Sequence, residues 1–196
     1  MKLIFITGPS GSGKTTISKY ISKYLINSYI LSTDNYYRTG FISNILSKII
    51  KSYFDKLLSH EQRLIRKDIN YILKNKSINH YYEYDFINKV TKKNIKNISN
   101  IQNLIIEGIF SLELTNFFSE NQYLLIRLKE NKRICRDRIL ERDCKERGKS
   151  KILNLNEFNN GWNIYQRKEK KYRSKIIRGI SLKKSIELED LLKKFI

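Results

Sequence analysis

The chain has 196 residues, 40% of them apolar and 30% charged, enough of each to build a core and cover it, which excludes global disorder and favours one domain. Its 39 Lys and Arg against 19 Asp and Glu leave a net charge of +20, which points either to a polyanionic partner or to an A/T-rich codon bias that also enriches Asn, Ile and Tyr. No apolar run reaches the length of a secretory leader or a membrane span, and the two cysteines, Cys135 and Cys144, lack the neighbouring histidines of a zinc site, so a cytoplasmic, reducing setting is expected.

In chain order, an apolar run predicts a first strand over 2–6, a Gly-rich stretch follows, and helical periodicity covers 15–26. A second strand is predicted over 29–31, ending near Asp34. Helical spacing extends over 45–73, within a segment of about 39–100 that is too long for a simple crossover. From Lys74 onward that segment is crowded with Lys, Asn and aromatic residues, and it reads as an insertion beside the sheet. A third strand over 104–106 runs into Glu107, a helix is predicted over 112–118, a fourth strand over 123–127 and a helix over 131–146. Around 142–152 charge dominates and periodicity fades, which marks a second insert. Strand alternating with helix predicts an α/β fold with a parallel sheet flanked by helices, in a single domain spanning 1–196.

The stretch Gly8-Pro-Ser-Gly-Ser-Gly-Lys14-Thr15 matches G-x-x-x-x-G-K-[ST] and lies between a predicted strand and a predicted helix. The chain has only 8 glycines, yet Gly8, Gly11 and Gly13 fall in this one turn. Glycines let backbone N–H groups point inward around phosphate oxygens, and a helix N-terminus adds its positive end. Gly8, Ser10, Gly11, Ser12, Gly13, Lys14, Thr15 and Thr16 are therefore candidate ATP-binding residues. Lys14 is expected to reach the β and γ phosphates, and Thr15 to hold Mg²⁺.

Ligands of open parallel sheets bind beyond the carboxyl ends of the strands. Two carboxylates stand there. Asp34 could accept the proton of an attacking hydroxyl, or merely cap a short helix beginning at Asn35; Glu107 could hold Mg²⁺, or merely satisfy backbone at the Gly108 turn.

In order along the chain come the phosphate loop, Ser32-Thr-Asp34-Asn-Tyr-Tyr37-Arg38, Tyr84-Asp85-Phe86, Ile105-Ile-Glu107-Gly108-Ile, and Glu141-Arg142-Asp143 leading to Glu146-Arg147-Gly148-Lys149. In these motifs the chain resembles the uridine kinase and phosphoribulokinase family over most of its length, and the tail 171–179 resembles that family's closing strand. The resemblance implies a P-loop NTPase-type fold with an acceptor-side insertion and a small basic lid, and a kinase that phosphorylates the 5′-hydroxyl of uridine or cytidine from ATP. It implies Asp34 as base, Glu107 near Mg²⁺, Tyr37, Tyr84 and Phe86 around the nucleoside, and Arg142 and Arg147 in a lid closing over the triphosphate. Arginines suit that place because they neutralise charge on the transferring phosphoryl group. Lys14, Asp34, Arg142 and Arg147 are thus the candidate catalytic residues.

The chain departs from the family at Lys89, where a His usually follows the Tyr-Asp-Phe aromatic by three residues, and at Lys149, a usual Arg that would sit on the substrate side. The family's His-Pro-Asp segment is not recognisable between Arg38 and Tyr81, although Phe54-Asp55-Lys-Leu-Leu echoes its neighbourhood. His60 and His80 read as surface residues. Tyr81, Tyr82 and Tyr84 could stack on a base or pack into a core. Two other functions compete: a kinase of the same family for a phosphorylated sugar, pantothenate or nicotinamide riboside, and a nucleic-acid-binding ATPase using Lys92, Lys93 and Lys168 to Lys171. Only weak, nonspecific nucleic-acid binding and no membrane partner are expected; a homo-oligomer is compatible with the sequence.

Overall fold

The computed structural model describes residues 1–50, 53–147, 151–178 and 180–182. Five strands, β1 (Lys2–Thr7), β2 (Ser28–Ser32), β5 (Asn103–Glu107), β6 (Leu124–Leu128) and β7 (Ile180–Leu182), form a parallel sheet in the order β2-β5-β1-β6-β7. A separate antiparallel hairpin pairs β3 (Ile78–Asp85) with β4 (Val90–Ile98). The helices are α1 (Lys14–Tyr24), α2 (Phe41–Ile49), α3 (Gln62–Asn75), α4 (Ser111–Leu114), α5 (Lys132–Arg147), α6 (Lys151–Lys171) and α7 (Arg173–Arg178).

The central strands are buried on both faces, which is why they read as continuous apolar runs rather than alternating ones. Leu3, Phe5, Leu104 and Ile106 face one layer with Ile65, Ile69 and Ile72 of α3, Leu112 and Leu114 of α4, and Ile176 of α7. Ile4, Ile6, Ile105 and Ile126 face the other with Ile21 of α1 and Leu25. Each fully buried side chain of this kind contributes about 1.5–3 kcal/mol relative to exposure.

The predicted helical run over 45–73 is broken. Between α2 and α3 lie two short 3₁₀ turns, Tyr53–Asp55 and Leu57–Ser59, and His60 forms a β-bridge with Tyr37. Arg38 N donates to Ser59 O at 2.7 Å and Glu61 N donates to Tyr36 O at 2.9 Å, and this long-range pairing holds the chain extended where local periodicity favours a helix. The predicted closing strand over 171–179 is also displaced. Residues 151–171 form α6, with Phe158 and Tyr165 buried and Trp162 half-buried at helical spacing; α7 follows, and the closing strand is β7. The helix expected over 112–118 is shorter, α4 followed by a 3₁₀ turn over Thr115–Phe117.

Candidate active site

The Gly-rich loop joins β1 to α1 at the carboxyl edge of the sheet. Gly11 and Gly13 have φ of +80° and +90°, a region that favours glycine. Gly11 is required a second time, because a Cβ there would lie 2.4 Å from the Cys135 carbonyl oxygen in the first turn of α5. Lys14 is buried and its Nζ donates to Gly8 O at 3.1 Å and Pro9 O at 3.0 Å. Burial lowers the Lys14 pKa, and the charges of Asp34 and Glu107 oppose that shift. Ser12 Oγ is buried inside the loop without a hydrogen-bond partner. Ser10 is half-buried, while Thr15 and Thr16 are exposed at the start of α1.

Glu107 closes β5 and is buried. Burial pushes its pKa up, the Asp34 charge pushes it further, and hydrogen bonds from Ser32 and Thr15 together with Lys14 oppose the rise. Thr15 Oγ1 donates to Glu107 Oε2 at 3.4 Å. Asp34 sits within the 3₁₀ turn Thr33–Tyr36 that follows β2, and the cap position, held by Ser32, makes no side-chain cap bond. Ser32 and Glu107 are register partners on adjacent strands, so the two carboxylates project from neighbouring strand ends. Gly108 makes this approach feasible. Its φ is +127°, and a Cβ there would lie 2.0 Å from Thr33 Oγ1 and 3.0 Å from Asp34 Oδ1. The Thr15 hydroxyl and the Glu107 carboxylate, with Asp34 beside them, are hard oxygen donors and fit Mg²⁺. Ser12 Oγ, still unpartnered, and the loop fit a phosphate chain.

An aromatic cluster adjoins Asp34. The Tyr37 ring centre lies 4.8 Å from that of Tyr84, 6.2 Å from Phe86, 5.6 Å from Phe54 and 4.0 Å from His60. The three aromatics singled out in the sequence therefore meet in space. The hairpin is tied to the Asp34 turn by Tyr84 N, which donates to Asn35 Oδ1 at 3.4 Å, and by Thr91 Oγ1, which donates to Tyr37 O at 3.0 Å. Tyr82 instead packs on Tyr36 at 5.0 Å, against the core. Lys89 Nζ stands 6.0 Å from the centre of the Phe54 ring.

The reading of His60 as a surface residue is overturned, since it is fully buried between aromatic rings; His80 is half-buried, with Nε2 3.3 Å from Asp68 Oδ2. Lys168 is not a solvated contact lysine either. Its Nζ is 2.7 Å from Glu113 Oε1 and 4.0 Å from the centre of the Phe110 ring.

On α5, Arg142 Nε donates to Asp143 Oδ1 at 2.8 Å, and its charge is close enough to depress the Lys14 pKa. Arg147 is the last residue of α5, while Lys149 lies outside the described residues. Sequence reasoning missed Arg138, four residues before Arg142, whose Nη1 donates to Gly11 O at 3.2 Å. It also missed the inner face of α6: Glu169 accepts two bonds from Arg127, at 2.6 and 2.5 Å, and Tyr165 Oη is 3.5 Å from Thr7 Oγ1. The spacing Tyr165, Lys168, Glu169, Tyr172 was the available signal.

The profile of the AAA domain family matches residues 4–160. A uridine kinase of Borrelia turicatae is 34% identical over 154 residues, 76% of this chain and 71% of that protein. A uridine kinase of Lactobacillus helveticus is 31% identical over 163 residues, 80% of this chain and 74% of that one. Among solved structures, a candidate fructose transport system kinase from Silicibacter sp. TM1040 superposes with a TM-score of 0.65 at 16% identity, covering 84% of each chain. A structure described as a possible uridine kinase from Bacillus stearothermophilus has a TM-score of 0.59 at 16% identity, covering 92% of this chain and 88% of that one. These two likenesses are of fold. Among the described residues no helix is long and apolar enough to cross a membrane.

Proposed function

Because the chain belongs to the uridine kinase family of P-loop kinases, we propose that it transfers the γ-phosphate of ATP to the 5′-hydroxyl of uridine or cytidine. One observation carries the reading. The Asp34 charge acts on Lys14 of the loop, and the turn that carries Asp34 is joined to the aromatic cluster through Asn35 and Tyr37, so a nucleoside resting on the aromatics would present a hydroxyl to the carboxylate and the phosphate together.

The loop N–H groups and Ser12 Oγ hold the phosphate chain, and Lys14 exchanges its two carbonyl partners for phosphate oxygens. Thr15 and Glu107 would hold Mg²⁺, which when bound withdraws charge from the β and γ phosphate oxygens. Asp34 accepts the proton of the 5′-hydroxyl as that oxygen bonds to the γ phosphorus and the bond to the β,γ-bridging oxygen breaks. Arg142 and Arg147 neutralise charge on the transferring group, and closure of the lid excludes water.

Lys89 beside the aromatic rim favours a second reading, a kinase of the same family whose acceptor is a phosphorylated sugar. The test is an assay of the pure protein with ATP and Mg²⁺ against uridine, cytidine, purine nucleosides, ribose and phosphorylated sugars. Turnover of the two pyrimidine nucleosides well above the rest is expected; ribose or a sugar phosphate working as well as uridine would overturn the nucleoside reading.

A further inference from the structure

His60 lies where the two strand-end turns meet. Its ring centre is 4.0 Å from that of Tyr37, three residues beyond Asp34, and 4.1 Å from that of Phe110, three residues beyond Glu107. Its two nitrogens are in different situations. The Ser59 hydroxyl reaches Lys56 O at 2.7 Å and Phe54 O at 3.4 Å, and so gives its single proton to a carbonyl. The contact of 2.8 Å between Ser59 Oγ and His60 Nδ1 then needs the proton on Nδ1, which leaves Nε2 as a bare lone pair. Nε2 is buried and has no hydrogen-bond partner. Burial, with the positive charges of Lys168 and Arg38 nearby, keeps the imidazole neutral by holding its pKa well below the usual value.

A second orphan stands close by. Glu113 Oε2 is buried and unpartnered, while its Oε1 is held by Lys168, whose Nζ lies over the same Phe110 ring that His60 touches. Both orphans around Phe110 are acceptors. A buried acceptor without a donor is costly, so what completes this place must bring a proton to share.

We propose that His60 is a specificity residue of the acceptor site, its neutral Nε2 accepting a hydrogen bond from an O–H or N–H group of the acceptor molecule. This rests on the nucleoside reading and deepens it. Nε2 is buried and the imidazole is packed by the Tyr37 and Phe110 rings, so engagement requires these rings to give way, as by a turn of Tyr37, whose hydroxyl donates to Phe54 O at 3.3 Å. Acceptor binding and rearrangement of the aromatic cluster are then one event.

The experiment pairs His60→Phe, which keeps an aromatic ring between Tyr37 and Phe110 and removes the lone pair, with uridine analogues that each lack one donor: 2′-deoxyuridine, 3′-deoxyuridine and 3-methyluridine. The variant is expected to raise KM for uridine about tenfold, the scale of one lost hydrogen bond, and to leave KM for ATP unchanged. For one analogue the wild type and the variant should have the same KM, because the partner donor is already gone. Should His60→Phe fail to fold by thermal melting, Ser59→Ala takes its place. It releases Nδ1 and lets the proton move to Nε2, and it should show the same selective loss. An unchanged uridine KM in a folded variant, or a loss equal across all four nucleosides, would overturn the role of His60 alone. A wild type that phosphorylates no nucleoside would overturn the functional reading and this role with it.

Discussion

Replacing Gly108 by Ala should damage catalysis far more than nucleotide binding. An added Cβ would lie 2.0 Å from Thr33 Oγ1, about 1.4 Å short of ordinary contact, and 3.0 Å from Asp34 Oδ1. Thr33 is fully buried and cannot simply turn away, so the 3₁₀ turn must shift and carry Asp34 with it. A displacement near 1 Å at a reacting group costs on the order of 100-fold in rate. The backbone adds its own strain, since φ of +127° is costly for alanine; strain and clash together come to about 2–4 kcal/mol. For a chain of this size that lowers Tm by roughly 4–16 °C. Gly40→Ala is the control: φ is +93°, but the added Cβ meets nothing within 4 Å, so a modest fall in Tm with normal kcat is expected. Steady-state kinetics with ATP and uridine and thermal melts of both variants provide the check. A Gly108→Ala enzyme with kcat within threefold of wild type and the Tm of Gly40→Ala would refute the steric argument.

Lys14→Ala should abolish phosphoryl transfer while Tm stays within a few degrees, because the ammonium bonds only loop carbonyls in the fold; near-normal turnover would count against the kinase reading. Asp34→Asn should lower kcat at least 100-fold with KM for ATP little changed, and an equal loss of ATP affinity would move Asp34 to the nucleotide side. Arg127→Met and Glu169→Gln should each destabilise by about 2–4 kcal/mol and the double variant by less than the sum, as chemical denaturation would show; additive losses would mean the pair is not coupled. The depressed His60 pKa has a definite sign: the folded imidazole stays neutral while the unfolded one protonates below about pH 6.5, so its stabilising effect is present above that pH and lost below it. Stability should therefore fall by up to about 2 kcal/mol between pH 6.5 and 5, and His60→Phe should remove that slope from a urea-unfolding series.

The four sheet strands that carry the site were legible because their apolar runs need no long-range information, and their predicted ends lie within two residues of the observed ones. The phosphate loop and the strand-end carboxylates were legible for the same reason, since each follows its strand directly. What was hidden depends on partners distant in sequence. His60 interrupts a helical pattern only because Tyr37 pairs with it, and a lone histidine carries no periodic signal of burial. The hairpin's aromatics fit a core as well as a pocket until the turn at Asp85, which accepts from Ile87 N and Asn88 N, fixes their alternation. In α6 the inward face is written in Tyr, Lys and Glu rather than aliphatic residues, because it meets charged and aromatic groups at strand ends.

The anchoring of α6 gives the molecule a lever. Its last turns are fastened by adjacent residues of opposite charge, Lys168 to Glu113 beyond the Gly108 turn and Glu169 to Arg127 at the edge of the sheet. The opposite end, Lys151, lies about 17 residues before Lys168 and therefore about 26 Å off, and begins beside the segment that follows Arg147. A tilt of about 10° around the fastened end would sweep the far end through roughly 5 Å, enough to carry a side chain onto or off a phosphate. The chain's single tryptophan, Trp162, rides near the middle of this arm, 5.9 Å from Phe158 and against the cluster of Cys135 and Ile139 that borders the phosphate loop. A tilt of α6 would thus be readable in the emission of Trp162 without any attached dye.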